Sequence, residues 1–252
     1  MIRALKFPSA LLAAACVLIL VPVSGFSGQP LTVVELFTSQ GCSSCPPADK
    51  FLNELSTRDD LLALSLHVDY WDYIGWKDPF SDAIFTRRQR DYSSRFNLKY
   101  VYTPQMVIQG QAQAVGSNRA EVKDAIREAK SIQQIPIDLG HAGKNITVSI
   151  AAAPAKGSAG IMAGEKADVV LVVFDRSHDT VIKRGENSGL KLTNSNVVRS
   201  LRKIATWNGG PLTQSLPLAE ILAPGGQVCA VLLQSRKTGR ILGAAQLALD
   251  GN

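Results

Sequence analysis

The chain has 252 residues, contains no internal repeat or low-complexity segment, and is long enough for one large domain or two small ones. Lys and Arg outnumber Asp and Glu by 27 to 21, so the formal net charge of +6 is mildly basic. Basic residues such as Arg87, Arg88 and Arg90 alternate with acidic and apolar residues, a pattern that excludes the footprint of a nucleic-acid-binding protein.

Residues 1–27 have the parts of a secretory signal peptide. Arg3 and Lys6 form a basic start, residues 10–21 form an apolar run that includes Cys16, and small residues follow near position 25. The run is short for a transmembrane helix, so we expect cleavage rather than an uncleaved anchor, and no membrane association afterwards. A periplasmic or secreted location follows, in which disulfides persist. The remaining cysteines are Cys42, Cys45 and Cys229.

Residues 31–56 predict a strand, a turn with a Cys-x-x-Cys sequence, and a helix. Residues 31–37 are apolar and β-branched, and Pro46 and Pro47 suit the first positions of a helix because proline presets φ and lacks an N–H. Cysteines at this spacing can form a small disulfide ring with Cys42 at its exposed tip. We expect Cys42 to be the attacking thiol, since a helix N-terminus favours a thiolate, and Cys45 to be the resolving thiol.

Two other interpretations of the cysteine pair are open. One is a purely structural disulfide, and the other is half of a zinc site. No second Cys-x-x-Cys or Cys/His pair has zinc-like spacing, which disfavours the metal site. The position of the pair between a strand and a helix favours redox chemistry, and this chemistry needs no cofactor.

The rest of the first half predicts a strand, an aromatic loop and a helix, followed by two short strands and a last helix. Thr103 and Pro104 directly precede the first of the short strands, and Asn118 or Ser117 can cap the last helix. The whole order is β-α-β-α-β-β-α. The predicted segments are a strand at 61–69, the loop at 70–79, a helix at 80–96, strands at 105–109 and 112–115, and a helix after 118.

This order, with the cysteines after the first strand and Thr103-Pro104 before the third, resembles the thioredoxin fold over residues 31–132. The resemblance implies that Pro104 is cis and faces the cysteines, and that the Thr103 backbone holds a substrate chain beside the sulfur. The stretches GCSSCPPAD, HVDYWDYIGWKDPF and YTPQMVIQG are similar to an exported bacterial thioredoxin-like family known as a domain of unknown function. That similarity implies export and a β-rich continuation, without a substrate.

Several further residues near the predicted site have alternative roles. Glu35 either takes the proton of Cys45 during exchange, forms a structural ion pair, or is an exposed acid at a strand end. His67 and Asp69 point to the same side of a regular strand, where they either tune the thiols or bind copper with the cysteines, or else His67 is a structural histidine with its hydrogen bonds satisfied in the sheet. The aromatic loop with Trp71, Tyr73 and Trp76 either packs on the core or recognises a partner. Cys229 is interpreted as a buried, inert thiol rather than a third redox thiol.

The second half predicts mainly strands. We expect a thioredoxin-like domain at 28–134 and, at 135–252, an antiparallel, sandwich-like β unit packed on it, with a loop at 151–164. The fold class is therefore α/β with a β-rich C-terminal unit. The predicted strands are 137–150, 167–174, 180–184, 197–207, 227–235 and 241–249, with Gly239-Arg240 as a hairpin turn.

These patterns predict an exported thiol-disulfide oxidoreductase that acts through Cys42 and Cys45 by mixed-disulfide exchange. Its expected partners are protein thiols or disulfides. Two alternatives are a thioredoxin-like binding module with a structural bridge, and a copper-handling protein in which thiolates bind Cu(I).

Overall fold

The computed structural model describes residues 29–154, 164–221 and 226–249, so the predicted signal peptide and most of the predicted loop at 151–164 lie outside the described residues. The first half has the predicted order of elements. Asn118 caps the last of these helices by accepting a hydrogen bond from the N–H of Glu121. The elements are β1 (Thr32–Thr38), α1 (Pro46–Leu55), β2 (Leu61–His67), α2 (Ala83–Arg95), β3 (Gln105–Ile108), β4 (Ala112–Val115) and α3 (Arg119–Lys130).

The second half is rich in strands, as predicted, with several differences in detail. The predicted strand at 137–150 is a hairpin that turns at Gly143, whose φ of 61° is a conformation that glycine adopts without strain. The predicted strands at 167–174 and 180–184 are one continuous strand, Ala167–Val181, and the short helix and the strand Leu212–Pro217 were not predicted. The elements are β5 (Ile137–Ala142), β6 (Asn145–Ile150), β7 (Ala167–Val181), β8 (Lys191–Trp207), β9 (Leu212–Pro217), α4 (Leu218–Ile221), β10 (Val228–Ser235) and β11 (Ile241–Ala248).

The strands form a large mixed sheet and a second, antiparallel sheet. The large sheet has the order β11-β10-β7-β8-β2-β1-β3-β4, and the second has the order β5-β6-β9. Four strands of the second half extend the first sheet, through the parallel pair of β2 and β8 at Ser65 and Val197, and the second sheet packs against this extension. The second half is therefore two-layered, as expected, but it shares its larger sheet with the first half. The open edge of β2 supplies unpaired N–H and C=O groups for this extension, and strand patterns do not reveal such a pairing. The domain boundary at 134 stays a prediction.

Alternation along β1 directs its side chains to two cores. Val34 and Leu36 pack with α1 and α3 on one face of the sheet, whereas Val33 and Phe37 pack near α2 on the other. A third core lies between the two sheets. Position 35 therefore faces α2, away from α1. Among the described helices, none has both the length and the apolar character required to cross a bilayer.

Candidate functional site

Cys42 and Cys45 form a disulfide between the end of β1 and the start of α1, with their Cα atoms 5.4 Å apart. Turns position both residues, because the N–H of Cys42 donates to the Ser39 carbonyl and that of Cys45 to the Cys42 carbonyl. Pro46 and Pro47 occupy the first two positions of α1, as predicted, and Cys45 precedes them at the helix cap.

The Cys42 sulfur is not exposed, which corrects the expectation of an exposed tip. The residue is 1% exposed, since neighbouring segments cover it. The Thr103 hydroxyl donates to Cys42 Sγ over 3.3 Å, and the Ser44 hydroxyl lies at the same distance. The Trp71 indole N–H donates to Thr103 Oγ1 over 2.7 Å and holds that hydroxyl at the sulfur.

The start of α1 offers the sulfur few backbone donors. Pro46 and Pro47 have no N–H, and the N–H groups of Ala48 and Asp49 donate to the Cys45 carbonyl at 2.9 and 3.1 Å. The hydroxyls of Thr103 and Ser44 thus provide the polar contacts to Cys42 Sγ within the described chain. A thiolate at Cys42 would receive the hydrogen bond of the Thr103 hydroxyl in addition to the field of the helix dipole, while the Ser44 hydroxyl donates to the Thr103 carbonyl.

The Thr103-Pro104 peptide bond is cis, as the resemblance implied. The Thr103 carbonyl accepts a hydrogen bond from the Ser44 hydroxyl over 3.4 Å. Thr103 therefore contacts the cysteine turn, residues 39–45, through both its backbone and its side chain. The Pro104 carbonyl accepts from the N–H of Gly116 over 2.9 Å. Thr103 and Pro104 therefore lie where the sequence predicted them, beside the disulfide.

Glu35 forms a buried ion pair on the opposite face of the sheet. Its carboxylate accepts hydrogen bonds from Arg88 Nε at 2.5 Å, from Arg88 Nη2 at 3.0 Å and from the Tyr92 hydroxyl at 2.6 Å. Since α1 packs on the other face, the structure contradicts proton transfer between Glu35 and Cys45. The structural ion pair is the correct alternative for this residue.

Asp49, which the sequence analysis did not select, is the acid on the cysteine side of the sheet. It follows Cys45 by four residues and shares its helix face, which brings their Cβ atoms to about 5–6 Å. The Thr38 hydroxyl donates to Oδ1 over 2.9 Å, while the buried Oδ2 has no hydrogen-bond partner among the described residues. Burial raises the pKa of the Asp49 carboxyl to about 7, although the His67 charge and the Thr38 hydrogen bond act against this shift.

His67 forms a fully buried pair with Asp78, with Nδ1 and Oδ2 2.7 Å apart. Burial disfavours both charges, but mutual attraction outweighs it, so the pKa of His67 is raised and that of Asp78 is lowered. Asp78 Oδ2 also accepts from the N–H of Gln40, which ties the pair to the cysteine turn. Asp69 instead accepts from the Thr86 hydroxyl at 2.6 Å.

The described residues contain no group of three or more His, Cys, Asp or Glu side chains placed to hold a metal ion. Both ring nitrogens of His67 have protein neighbours, Asp78 at Nδ1 and the Ser65 hydroxyl at Nε2 over 3.1 Å. Cys229 is a free thiol buried on β10, and burial raises its pKa to about 11. The interpretation of Cys229 as a buried thiol is confirmed.

Two further segments cover the cysteine turn. The aromatic loop, residues 70–79, contributes Trp71 and also Trp76, whose indole N–H donates to Gln40 Oε1 over 3.2 Å. The hairpin tip, residues 182–190 between β7 and β8, contributes Asn187, whose amide donates to the carbonyls of Gln40 and Cys42, both at 2.9 Å. No sequence pattern indicated that a segment about 145 residues away contacts the site.

Fold and site together define a mixed α/β protein with a Cys-x-x-Cys disulfide at the start of a helix, next to a cis proline. The chain belongs to a family described as a protein of unknown function, DUF1223, whose model matches residues 33–234.

Two solved structures are similar to the chain. Protein AGR_C_4864 from Agrobacterium tumefaciens is 32% identical with a TM-score of 0.76, over 89% of this chain and 96% of that one. HBP35 of Porphyromonas gingivalis is 13% identical with a TM-score of 0.53, over 89% of this chain and 76% of that one, and shows similarity of fold alone. No curated protein matches the sequence.

Proposed function

We propose that the protein is an exported thiol-disulfide oxidoreductase whose residues 31–132 form a thioredoxin-like core. One observation carries the proposal: the Cys42–Cys45 disulfide lies at the start of α1, with the cis Thr103-Pro104 bond beside it and the Thr103 hydroxyl on the Cys42 sulfur. A structural bridge needs no such hydroxyl, whereas a thiolate intermediate at Cys42 is stabilised by it.

The exchange begins when a substrate thiolate attacks Cys42 Sγ. A bond forms between the substrate sulfur and Cys42, the Cys42–Cys45 bond breaks, and the electron pair leaves on the Cys45 sulfur. Protonated Asp49 gives its proton to that sulfur. In the reverse direction the Asp49 carboxylate removes the proton from Cys45, and the resulting thiolate attacks the mixed disulfide. The pKa of about 7 suits Asp49 to both directions near neutral pH.

Backbone groups next to the sulfurs provide a site for an extended substrate. Within the described part of the chain, the Thr103 carbonyl accepts one hydrogen bond, from the Ser44 hydroxyl at 3.4 Å, and a substrate N–H can replace this long bond. The proposed location is the periplasm or the extracellular space, because a cysteine pair of this kind is kept oxidised there.

A second candidate is a non-catalytic binding module with a structural bridge. The 1% exposure of Cys42 favours it, since a disulfide enclosed by neighbouring segments reacts slowly. The copper-handling alternative would require Cys42 and Cys45 in reduced form, with a third ligand from a side chain that moves towards them.

Trapping of mixed disulfides on Cys42 distinguishes the oxidoreductase from the binding module with a structural bridge. The Cys45→Ala protein, expressed with its own leader in the native compartment, should accumulate mixed disulfides on Cys42, because no resolving thiol remains. The matched control is the Cys42→Ala/Cys45→Ala protein, which keeps Cys229 as its remaining thiol after the leader. Partners that are covalently bound to the single variant and absent from the control support the enzyme. Absence of any partner from the single variant supports the structural bridge.

A further inference from the structure

The exposed large apolar side chains of the described chain belong to segments that contact the turn bearing the disulfide or Thr103-Pro104. In the described part of the chain there are five of them, on four separate segments. They are Tyr73 (81% exposed), Tyr100 (74%), Val181 (56%), Val115 (46%) and Leu190 (46%). Scattered exposed apolar residues are ordinary, but a set that converges on one site indicates an interaction surface.

Three of these residues are close in sequence to residues that contact the site. Tyr73 follows Trp71 by two positions in the aromatic loop, and Tyr100 precedes Thr103 by three. Val115 precedes Gly116, whose N–H donates to the Pro104 carbonyl. Since a residue extends the chain by at most about 3.6 Å, each lies within about 11 Å of its contacting residue.

The other two belong to the hairpin that covers the cysteine turn. Val181 follows Thr180, whose hydroxyl accepts from Gln40 Nε2 over 3.1 Å. Leu190 follows Asn187 by three positions, and Asn187 donates to the Cys42 carbonyl. Every exposed large apolar side chain in the described chain is thus within three residues of a direct contact to the cysteine turn or to Thr103-Pro104.

A groove extends this surface along α1. It has a volume of about 390 Å³, begins at Pro46 next to Cys45, and ends between Asn53 and the start of β8 at Thr193. Leu190 lies on its wall, and so does the exposed ammonium of Lys50. The groove therefore combines an apolar wall with a positive charge, beside the resolving cysteine.

The charges around the surface are mainly positive. Lys77, Lys99 and Lys183 are exposed on the aromatic loop, next to Tyr100 and on the hairpin tip, respectively. The hairpin tip also carries the exposed Arg184 and one exposed acid, Glu186, while Asp179 on β7 is paired with Lys191 at 2.7 Å. A partner with acidic residues complements this surface electrostatically.

We propose, on the basis of the proposed function, that this surface binds an extended, unfolded polypeptide whose cysteine is flanked by apolar and acidic residues. Cysteines and large apolar residues are buried together in folded proteins, so this combination is presented by unfolded chains. Because Cys42 is 1% exposed, a substrate reaches its sulfur only when the covering segments open, and a single extended strand needs a smaller opening than a folded domain does. The substrate class is thus an unfolded or newly exported protein.

The test uses the Cys45→Ala protein and two cysteine peptides in which the thiol is linked to thionitrobenzoate. One peptide has Leu, Tyr and Glu around the cysteine, and the other has Ser, Gly and Glu. Cys42 thiolate attacks the peptide sulfur, the peptide–Cys42 bond forms, and coloured thionitrobenzoate leaves with the electron pair, so absorbance measures the rate. The reagent dithiobis-nitrobenzoate reports the intrinsic reactivity of Cys42.

We expect the apolar peptide to react about tenfold faster than the polar one, the effect of partly burying two large side chains. Adding Tyr73→Ser and Leu190→Ser should bring this ratio close to one. The control Leu212→Ser, on β9 in the other sheet, should keep the tenfold ratio.

Three results overturn the proposal. If Cys42 is reactive and the two peptides react at equal rates, the surface does not bind apolar residues of the substrate, and the proposed function is unaffected. If Cys42 reacts with neither the peptides nor dithiobis-nitrobenzoate, both the proposed oxidoreductase function and the proposed binding surface are wrong. A dimer that dissociates on Tyr73→Ser and Leu190→Ser substitution assigns the surface to a second copy of the chain.

Discussion

Replacing Asp49 with asparagine tests whether a buried acid without an ion-pair partner lies beneath the disulfide. The pKa of this carboxyl is 3.8 in its ordinary environment and about 7 in the folded protein, because of burial. The folded protein therefore holds the proton more tightly than the unfolded chain does. The associated stability is complete below pH 4 and is lost as the pH rises to 7.

The size of the effect follows from the pKa difference. Each pKa unit corresponds to about 1.4 kcal/mol, so wild-type protein should lose about 4 kcal/mol of unfolding free energy between pH 4 and pH 8 from this group. The asparagine side chain of the variant does not titrate, and its amide oxygen can still accept from the Thr38 hydroxyl. The pKa of His67 is also raised, so this group likewise loses stability as the pH rises. Because His67 is present in both proteins, its contribution largely cancels in the stability difference between them.

Urea unfolding of the oxidised proteins at pH 4, 6 and 8 measures this difference. The stability of Asp49→Asn relative to wild type should increase by about 4 kcal/mol from the lowest to the highest pH. Asp91→Asn, an exposed substitution on α2, serves as the control and should show no such trend. If the stability difference between Asp49→Asn and wild type does not change with pH, the Asp49 carboxyl does not have a raised pKa in the folded protein.

Three other substitutions test the surrounding contacts. Glu35→Gln leaves the Arg88 charge buried without its partner and should lower the unfolding free energy, measured in urea, by about 3–5 kcal/mol. The alkylation rate of reduced Cys42 should not change, and a slower rate would show that Glu35 acts on the cysteines. Thr103→Val removes the hydroxyl at Cys42 Sγ and should slow iodoacetamide alkylation of reduced Cys42 about tenfold at pH 7, whereas an unchanged rate contradicts thiolate stabilisation. Asn187→Ala removes two hydrogen bonds to the cysteine turn and should accelerate reduction of the disulfide by dithiothreitol several-fold. Equal reduction rates would show that the hairpin tip does not limit access.

Local patterns predicted the elements that position the cysteines. The β-branched run of β1 and the prolines at the start of α1 act within a few residues, so the strand, the turn and the helix start were found where expected. The spacing of Cys45 and Asp49 was also a usable signal, since i and i+4 share a helix face, and it was overlooked.

Contacts between distant segments were not predictable from those patterns. Glu35 was assigned to a strand correctly, but its partner Arg88 is 53 residues away, and the face of the sheet is set by the packing of α2. The pairing of β2 with β8 and the position of Asn187 likewise depend on where a long hairpin crosses the sheet. These arrangements made Cys42 buried instead of exposed.

The reduction potential of the Cys42–Cys45 bridge tests the proposed exchange most directly. Purified protein is equilibrated in glutathione or dithiothreitol buffers of graded potential, and reduced Cys42 is counted by alkylation and mass spectrometry. We expect a potential less negative than about −300 mV, which is the range of dithiols that take part in exchange. A bridge that remains oxidised in buffers more reducing than about −300 mV would be structural and would contradict the proposed exchange.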